Sequence, residues 1–337
     1  MSGARGKTLQ DLAKATRLSV SGASLALRNH PSIPQKTVER VRRAAQTIGY
    51  RKDIRVASLM ANIRRNRVAS DREVVAFVWV GISKRESVEN GYFRLVYNGT
   101  KARAEISGCT LAEFWLEEPG MSQARVGSIL RARGIVGVVF SPPLHGMAIE
   151  LNWEWDNFAC AVIGNTEWRP AFHRAAHHQF HSVWRTMERL CGEGFKRPAA
   201  LFSRDHHERL HGAHYAAFIA NHPSPKLALE LAKISPPEEF TRLKPWSKSL
   251  DPDALIIGWY TYPAMTRQLR SLAPQARRVV TLDWYPGVAV AGMDQCNDVI
   301  AASALDLVVA QLHQNERGIP IHPKTVLIDG VWREASQ

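Results

Sequence analysis

Thr8-Leu9-Gln10-Asp11-Leu12-Ala13-Lys14-Ala15-Thr16-Arg17-Leu18-Ser19-Val20-Ser21-Gly22-Ala23-Ser24-Leu25-Ala26-Leu27 decides how this chain begins to fold. Thr8 followed by Asp11 is a capping pair at a helix start, with an acidic partner shorter than the usual Glu. Leu9, Leu12 and Ala13 then give a first helix, over about Leu9 to Ala15, its apolar face. Thr16-Arg17-Leu18 is a tight connection, and Ser19 is placed to cap a second helix that turns Ala23 and Leu27 inward at a spacing of four. Two short helices joined so tightly spell a helix-turn-helix. Past the breakers Asn29-His30-Pro31-Ser32-Ile33-Pro34, the residues Val38, Val41, Ala45 and Ile48 mark a third amphipathic helix that stops at Gly49 and shows Lys36, Arg40, Arg42 and Arg43 outward.

Charge sets this region apart from the rest. Residues 1–70 hold 15 Lys and Arg against Asp11, Glu39 and Asp53, a net +12 out of +13 for all 337 residues, so the remaining chain is close to neutral. One sign of charge gathered on a folded end is the footprint of a module that neutralises phosphates, and the neutral part must do something else. With 45% hydrophobic residues the chain can bury a large core and is expected to form two or three domains. Met1 to Gln10 has no apolar run and no stretch reaches the length of a membrane span, so neither a signal peptide nor a membrane is expected, and the expected location is cytoplasmic. Cys109, Cys160, Cys191 and Cys296 are scattered without a Cys-x-x-Cys pair, the pattern of reduced structural thiols.

The run Thr8-Leu9-x-Asp11-Leu12-Ala13, then Leu18-Ser19, Ser24-x-Ala26-Leu27, Thr37-x-x-x-Val41 and Gly49-Tyr50 resembles the headpiece of the lac repressor (LacI/GalR) family of bacterial transcription regulators. The resemblance implies that the second helix lies in the major groove, with Val20 and Ser21 facing base edges and Ser19, Ser24, Arg28, Asn29 and Thr37 positioning phosphates. Two residues depart from the family pattern: Arg17 stands where many members have a turn glycine, and Leu25 stands where some have a base-reading arginine. Residues 53–72 would be the hinge, in which Leu59 matches the leucine that wedges into the central minor groove. Lys52-Asp53 replaces the usual Pro-Asn there, and Met60 follows where a small residue is common.

From Glu73 the pattern becomes strand and helix in alternation. Val74 to Val80 is a continuous apolar run, as in a buried parallel strand, and a helix over Phe93 to Ile106 follows. Further strands are expected at Thr110–Trp115, Ile135–Phe140, Phe158–Ile163, Pro198–Phe202, Ala254–Ile257, Val279–Leu282 and Thr325–Ile328. Helices are expected near Gln123–Arg133, Phe180–Glu193, Glu208–Ala220 and Val299–Leu312. The expected fold is therefore an N-terminal all-α helix-turn-helix headpiece (1–52), the linker, and an α/β two-lobed domain (73–333) of two doubly wound parallel sheets. Lobe 1 is drawn at about 73–171 and 298–317, lobe 2 at about 172–297 and 318–333. This resembles the periplasmic-binding-protein-like regulatory domain of the same family, which binds ligands between its lobes beyond the strand ends.

Effector candidates follow from strand ends. Arg209 and Asp294 match cleft positions of the family, Trp259-Tyr260 stands where sugar-binding members often have Asn-Asp, and Trp79 and Trp284 sit at strand ends, in the cleft or in the core. His207, His211 and His214 at i, i+4 and i+7 would share one helical face, and His173, His177, His178 and His181 cluster nearby. Without a Cys or a Glu-flanked His-x-x-x-His signature these read as polar lining, not as a metal site. No nucleophile elbow, cofactor fingerprint or paired carboxylates mark an enzyme. The sequence therefore points to a homodimeric transcription regulator that binds operator DNA and a small, sugar-like effector, with no cofactor. The alternatives are an architectural DNA binder without an effector response and a two-lobed solute-binding protein.

Overall fold

The computed structural model describes residues 8–27, 30, 32–50, 73–116, 118–143, 148–258 and 274–335. The headpiece is three helices: α1 Leu9–Thr16, α2 Val20–Leu27 and α3 Gln35–Ile48. Thr8 and Asp11 form the expected reciprocal cap, the Thr8 N–H donating to Asp11 Oδ2 at 2.8 Å and the Asp11 N–H to Thr8 Oγ1 at 3.3 Å. Arg17 closes α1 in the left-handed region (φ 55°, ψ 38°), its N–H on the carbonyls of Ala13 and Lys14. A Cβ is disfavoured at positive φ, so a glycine would sit here with less strain than Arg17 does. Leu12, Ala26, Val41 and Ala45 form a small core, closed by Leu9, Leu18, Leu27, Ile33, Ile48 and Tyr50.

The chain then winds through β1 Glu73–Trp79, α4 Lys84–Glu89, α5 Gly91–Ser107, β2 Cys109–Trp115, α6 Gln123–Ala132, β3 Gly137–Phe140, β4 Ala148–Glu150, β5 Ala159–Ile163, β6 Glu167–Arg169 and β7 His173–His177. It continues as α7 Gln179–Gly192, β8 Pro198–Ser203, α8 Arg204–Arg209, α9 Ala213–Asn221, α10 Pro225–Leu231, β9 Ala232–Ser235, α11 Lys244–Leu250, β10 Ala254–Gly258, β11 Arg278–Trp284 and β12 Ala291–Asp294. It ends with α12 Asn297–Gln314, β13 Thr325–Ile328 and β14 Val331–Arg333. One six-stranded sheet has the order β13-β7-β5-β3-β1-β2 and is parallel throughout; the other has the order β14-β12-β11-β10-β8-β9. In the second sheet β14 runs antiparallel to β12, a departure from the all-parallel expectation at one edge. Both interiors are apolar, Phe77, Val139, Ala161 and Leu305 in the first and Leu201, Ile256, Val280 and Phe218 in the second.

Strand pairing moves the expected lobe limits. His173–His177 pairs with β5 and Thr325–Ile328 pairs with β7, so both belong to the first sheet. Lobe 1 therefore reaches 177 and reclaims 325–328, where the sequence reading had closed it at 171 and 317. Neither strand announces itself by a long apolar run, because a histidine sits at each end of β7 and β13 is an edge strand with every second residue exposed. The chain crosses between lobes at His178, at Gln295–Cys296 and at Asp329–Gly330. The expected helix over Glu208–Ala220 is also two helices, because His211 (φ 48°) and Gly212 (φ 75°) turn the backbone between α8 and α9. His207, His211 and His214 consequently do not share one helical face.

Candidate DNA interface and effector cleft

The first turn of α2 is the open end of the headpiece. Ser19, Val20 and Ser21 are exposed, Val20 at 44%, whereas Ala23 and Ala26 on the opposite side are buried. The Gly22 N–H donates to Ser19 Oγ at 3.0 Å, so this hydroxyl caps the helix, as its position suggested. Ser24 and Leu25 are half-buried, and Thr37 lies in the first turn of α3 with its N–H on the Pro34 carbonyl at 2.8 Å. Lys36, Arg40, Arg42 and Arg43 all reach solvent from α3. Arg28, Asn29 and Leu59 lie outside the described residues, as do the linker and Trp259-Tyr260.

The cleft-facing end of lobe 2 is where the strands of its parallel sheet finish. At the end of β8, α8 carries His206, His207 and Arg209; the Arg209 Nε is buried and has no hydrogen-bond partner, and neither has His207 Nδ1. His206 is pushed down to about 4, first by burial and then by the Arg209 charge. His214 on α9 is buried, its Nε2 2.6 Å from Gln179 Oε1, and it is held well below its ordinary range by burial and by the neighbouring His206, His177 and His207. His177, at the first crossover, shares a 2.6 Å hydrogen bond with Ser182 Oγ, leaves Nδ1 without a partner and is lowered by burial to about 4.

Two strands away, Asp283 at the end of β11 is 5% exposed with Oδ2 unpartnered. Burial, and then the Asp294 charge, raise its carboxyl to about 7. Asp294 itself accepts from the Cys296 N–H at 2.9 Å and from Arg333 Nε at 3.2 Å, so it braces the second crossover. Trp284 is half-buried with an unpartnered Nε1 and has the Arg333 guanidinium 5.9 Å from its ring. Trp79 belongs to the core. It is 1% exposed, donates to Glu113 Oε2 at 2.9 Å and packs against Phe77, Phe93 and Trp115, because its side chain takes the α5 face of β1.

The structure thus gathers Arg209, Trp284 and Asp294 at one end of lobe 2 and removes Trp79 from the cleft. It adds His177, His206, His207 and Asp283, which had not been singled out as effector candidates. Asp283 was legible in principle, being the first residue past the expected strand Val279–Leu282. Among the described residues no group of three or more His, Cys, Asp or Glu is arranged to hold a metal ion.

These groups also set a pH dependence. A histidine whose folded pKa lies below its ordinary 6.5 binds fewer protons folded than unfolded, so its contribution is complete above 6.5 and lost as pH falls toward 4. The raised Asp283 works the other way, losing stability as pH rises from about 4 through 7. His177, His206 and His214 outweigh one carboxyl, so the melting temperature of the lobes is expected to climb from about pH 5 to about pH 7. A flat or falling profile in differential scanning calorimetry would contradict neutral burial of these histidines.

Residues 8–53 match the family model described as bacterial regulatory proteins, lacI family. The chain is similar in fold to a chain of the lac repressor dimer bound to operator and the anti-inducer ONPF, with 15% identity, 98% of each chain covered and a TM-score of 0.53. The transcriptional regulator CelR in complex with cellobiose matches at 15% identity over 98% of this chain and 99% of that one, TM-score 0.53. A lacI-family regulator protein from Rhizobium etli matches 78% of this chain and 98% of its own at 12% identity, TM-score 0.56. At these identities the likeness shows the shared two-lobed fold. No curated protein matches the chain in sequence.

Proposed function

We propose, from the match of residues 8–53 to the lacI family of bacterial regulatory proteins, that the chain is a homodimeric repressor whose affinity for operator DNA is set by a small ligand in the interlobe cleft. It is read as a binding protein rather than an enzyme, in keeping with the regulatory family that residues 8–53 match. Among the described residues no helix is long and apolar enough to cross a membrane. One observation carries the ligand half of the reading. Of the nine buried side-chain polar atoms without partners among the described residues, five, on His177, His207, Arg209, Asp283 and Trp284, collect at the crossovers and at the strand ends of lobe 2. Such atoms each cost about 1–3 kcal/mol unless something bonds them, so their concentration at one end favours a bound polar molecule.

The DNA half rests on the net +12 of residues 1–70 and on Val20 and Ser21, exposed at the mouth of α2. Steric access to the major groove belongs to those two side chains, while basic and hydroxyl groups around them bind any sequence. The coupling follows from geometry. The linker feeds β1 of lobe 1, so a ligand that prefers one lobe arrangement changes how the two linkers of a dimer are spaced. DNA affinity then changes by the same factor, typically about 1–3 kcal/mol. Exchanging Val20 and Ser21 for other side chains is expected to change the operator sequence selected while leaving the salt dependence of binding as it was. An unchanged consensus after the exchange would remove these residues from base reading.

A further inference from the structure

Arg209 makes no salt bridge among the described residues, and its Nε is buried without a partner. Apart from Asp283, whose buried carboxyl is raised to about 7, the carboxylates in the neighbourhood are committed elsewhere or point to water. Asp294 is taken by Arg333 and Cys296, Asp329 by His181, and Asp205 and Glu208 on α8 itself are exposed. A half-buried guanidinium without a counterion is costly, and closing the lobes over it raises that cost.

The surroundings are also rich in donors. Arg209 Nε and Trp284 Nε1 can only donate, and the free Nδ1 atoms of His177 and His207 can donate once the ring is protonated. The one buried carboxylate oxygen without a partner among the described residues, on Asp283, becomes a donor when its acid is protonated. β8, which leads to Arg209, and β11, which leads to Asp283, are separated only by β10, so at the usual spacing of about 4.8 Å these two ends stand roughly 10 Å apart, the span of a monosaccharide-sized molecule.

We propose that the effector is an anion, a small molecule bearing a carboxylate or phosphate, whose negative group seats on Arg209 beside His207 on the lobe 2 side of the cleft, next to His177 at the first crossover. The inference rests on the ligand-responsive reading above and narrows its ligand class. An arriving anion supplies the missing counterion and turns idle donors into charge-assisted hydrogen bonds. It also draws protons onto the nearby histidines. Facing His177 are Ser182, His178, His214, Asp329 and the backbones of Gln295 and Ile328; facing His206 are Arg209, Asp205, His214 and the Gly258 backbone. Asp329 raises His177 and Asp205 raises His206, but burial outweighs both and holds each histidine at about 4 before the ligand binds. Affinity for the anion therefore weakens as pH rises through the bound-state pKa, by up to about tenfold per pH unit for each proton taken up.

The test is the melting of the full-length protein at constant ionic strength, at about pH 6 and about pH 8, with glucose, glucuronate, glucose 6-phosphate or inorganic phosphate. The expected result is stabilisation of the two-lobed domain by at least one of the anions and none by glucose, with the larger shift at the lower pH. The glucuronate and phosphate arms tell which acid is taken. Arg209→Ala should abolish the shift and Arg209→Lys should retain part of it, which separates the cleft from anions that bind the basic headpiece. An anion shift that survives in Arg209→Ala, or equal stabilisation by glucose, overturns the inference. If neutral sugars alone act, the regulator reading stands and the inference falls; if nothing acts on the lobes, both fall.

Discussion

Truncating Leu12 to alanine should abolish operator binding while the two-lobed domain melts as before. Leu12 is 0% exposed and sits at the centre of a headpiece core whose other fully enclosed members are Ala26, Val41 and Ala45. Three of those four are small, so Leu12 supplies much of the apolar area that holds the three helices together. A buried Leu→Ala change costs about 2–5 kcal/mol. A module of about fifty residues buries too small a fraction of its surface to absorb that loss. Once α1 lets go, α2 loses the support that presents Ser19, Val20 and Ser21, and the phosphate contacts scatter. Fluorescence anisotropy on the selected operator, with calorimetry of the same variant, checks both halves. Operator affinity within a few-fold of wild type would mean that the headpiece core is not what positions α2.

Gly292→Val should do the reverse, wrecking the lobes and sparing the headpiece. Gly292 lies on β12 directly beside Thr281 of β11, and a Cβ there would come 2.2 Å from the Thr281 carbonyl oxygen and 2.6 Å from its Cγ2. Backbone cannot yield as a flexible side chain does, so β12 would have to leave the sheet. Its C-terminal end carries Asp294 and feeds the second crossover, and the Asp294–Arg333 pair that ties β14 to lobe 2 would go with it. A cost of at least about 3 kcal/mol is expected, a fall of roughly 10 °C in the melting temperature of a domain this size. Weak, salt-sensitive DNA binding by the headpiece should persist. A melting temperature within about 2 °C of wild type would show that the sheet can open at this point without strain.

The two modules differ in how plainly their sequence speaks. The headpiece is built from local signals, a cap at Thr8, a second cap at Ser19, a periodic third helix, and each stands in the structure where its residues placed it. The central strands of the lobes were legible for the same reason, since Val75 to Trp79 or Leu255 to Ile257 are buried on both faces and read as unbroken apolar runs. Edge strands carry no such mark. β13 and β14 are short and half-exposed, and β7 is framed by histidines, so the lobe boundaries depended on pairing between residues about 150 positions apart, Arg174 with Thr325 and His177 with Ile328. The cleft was harder still. Arg209 was found by its resemblance to a family position, whereas His177, His206, His207 and Asp283 matter through burial and missing partners, properties that exist only once distant segments meet. Trp79 misled for the complementary reason: a strand end supplies a position, and packing against Phe93 and Trp115 decides which way the ring turns.

The measurement that bears most directly on the account is selection from random duplex DNA by the purified full-length protein at a stated, near-physiological salt concentration. A palindrome with half-sites about one helical turn apart is the expected result, because a dimer places its two α2 helices in successive major grooves on one side of the duplex. Recovery of no consensus, with binding that varies only steeply with salt, would contradict it and leave a protein that grips DNA by its phosphates alone.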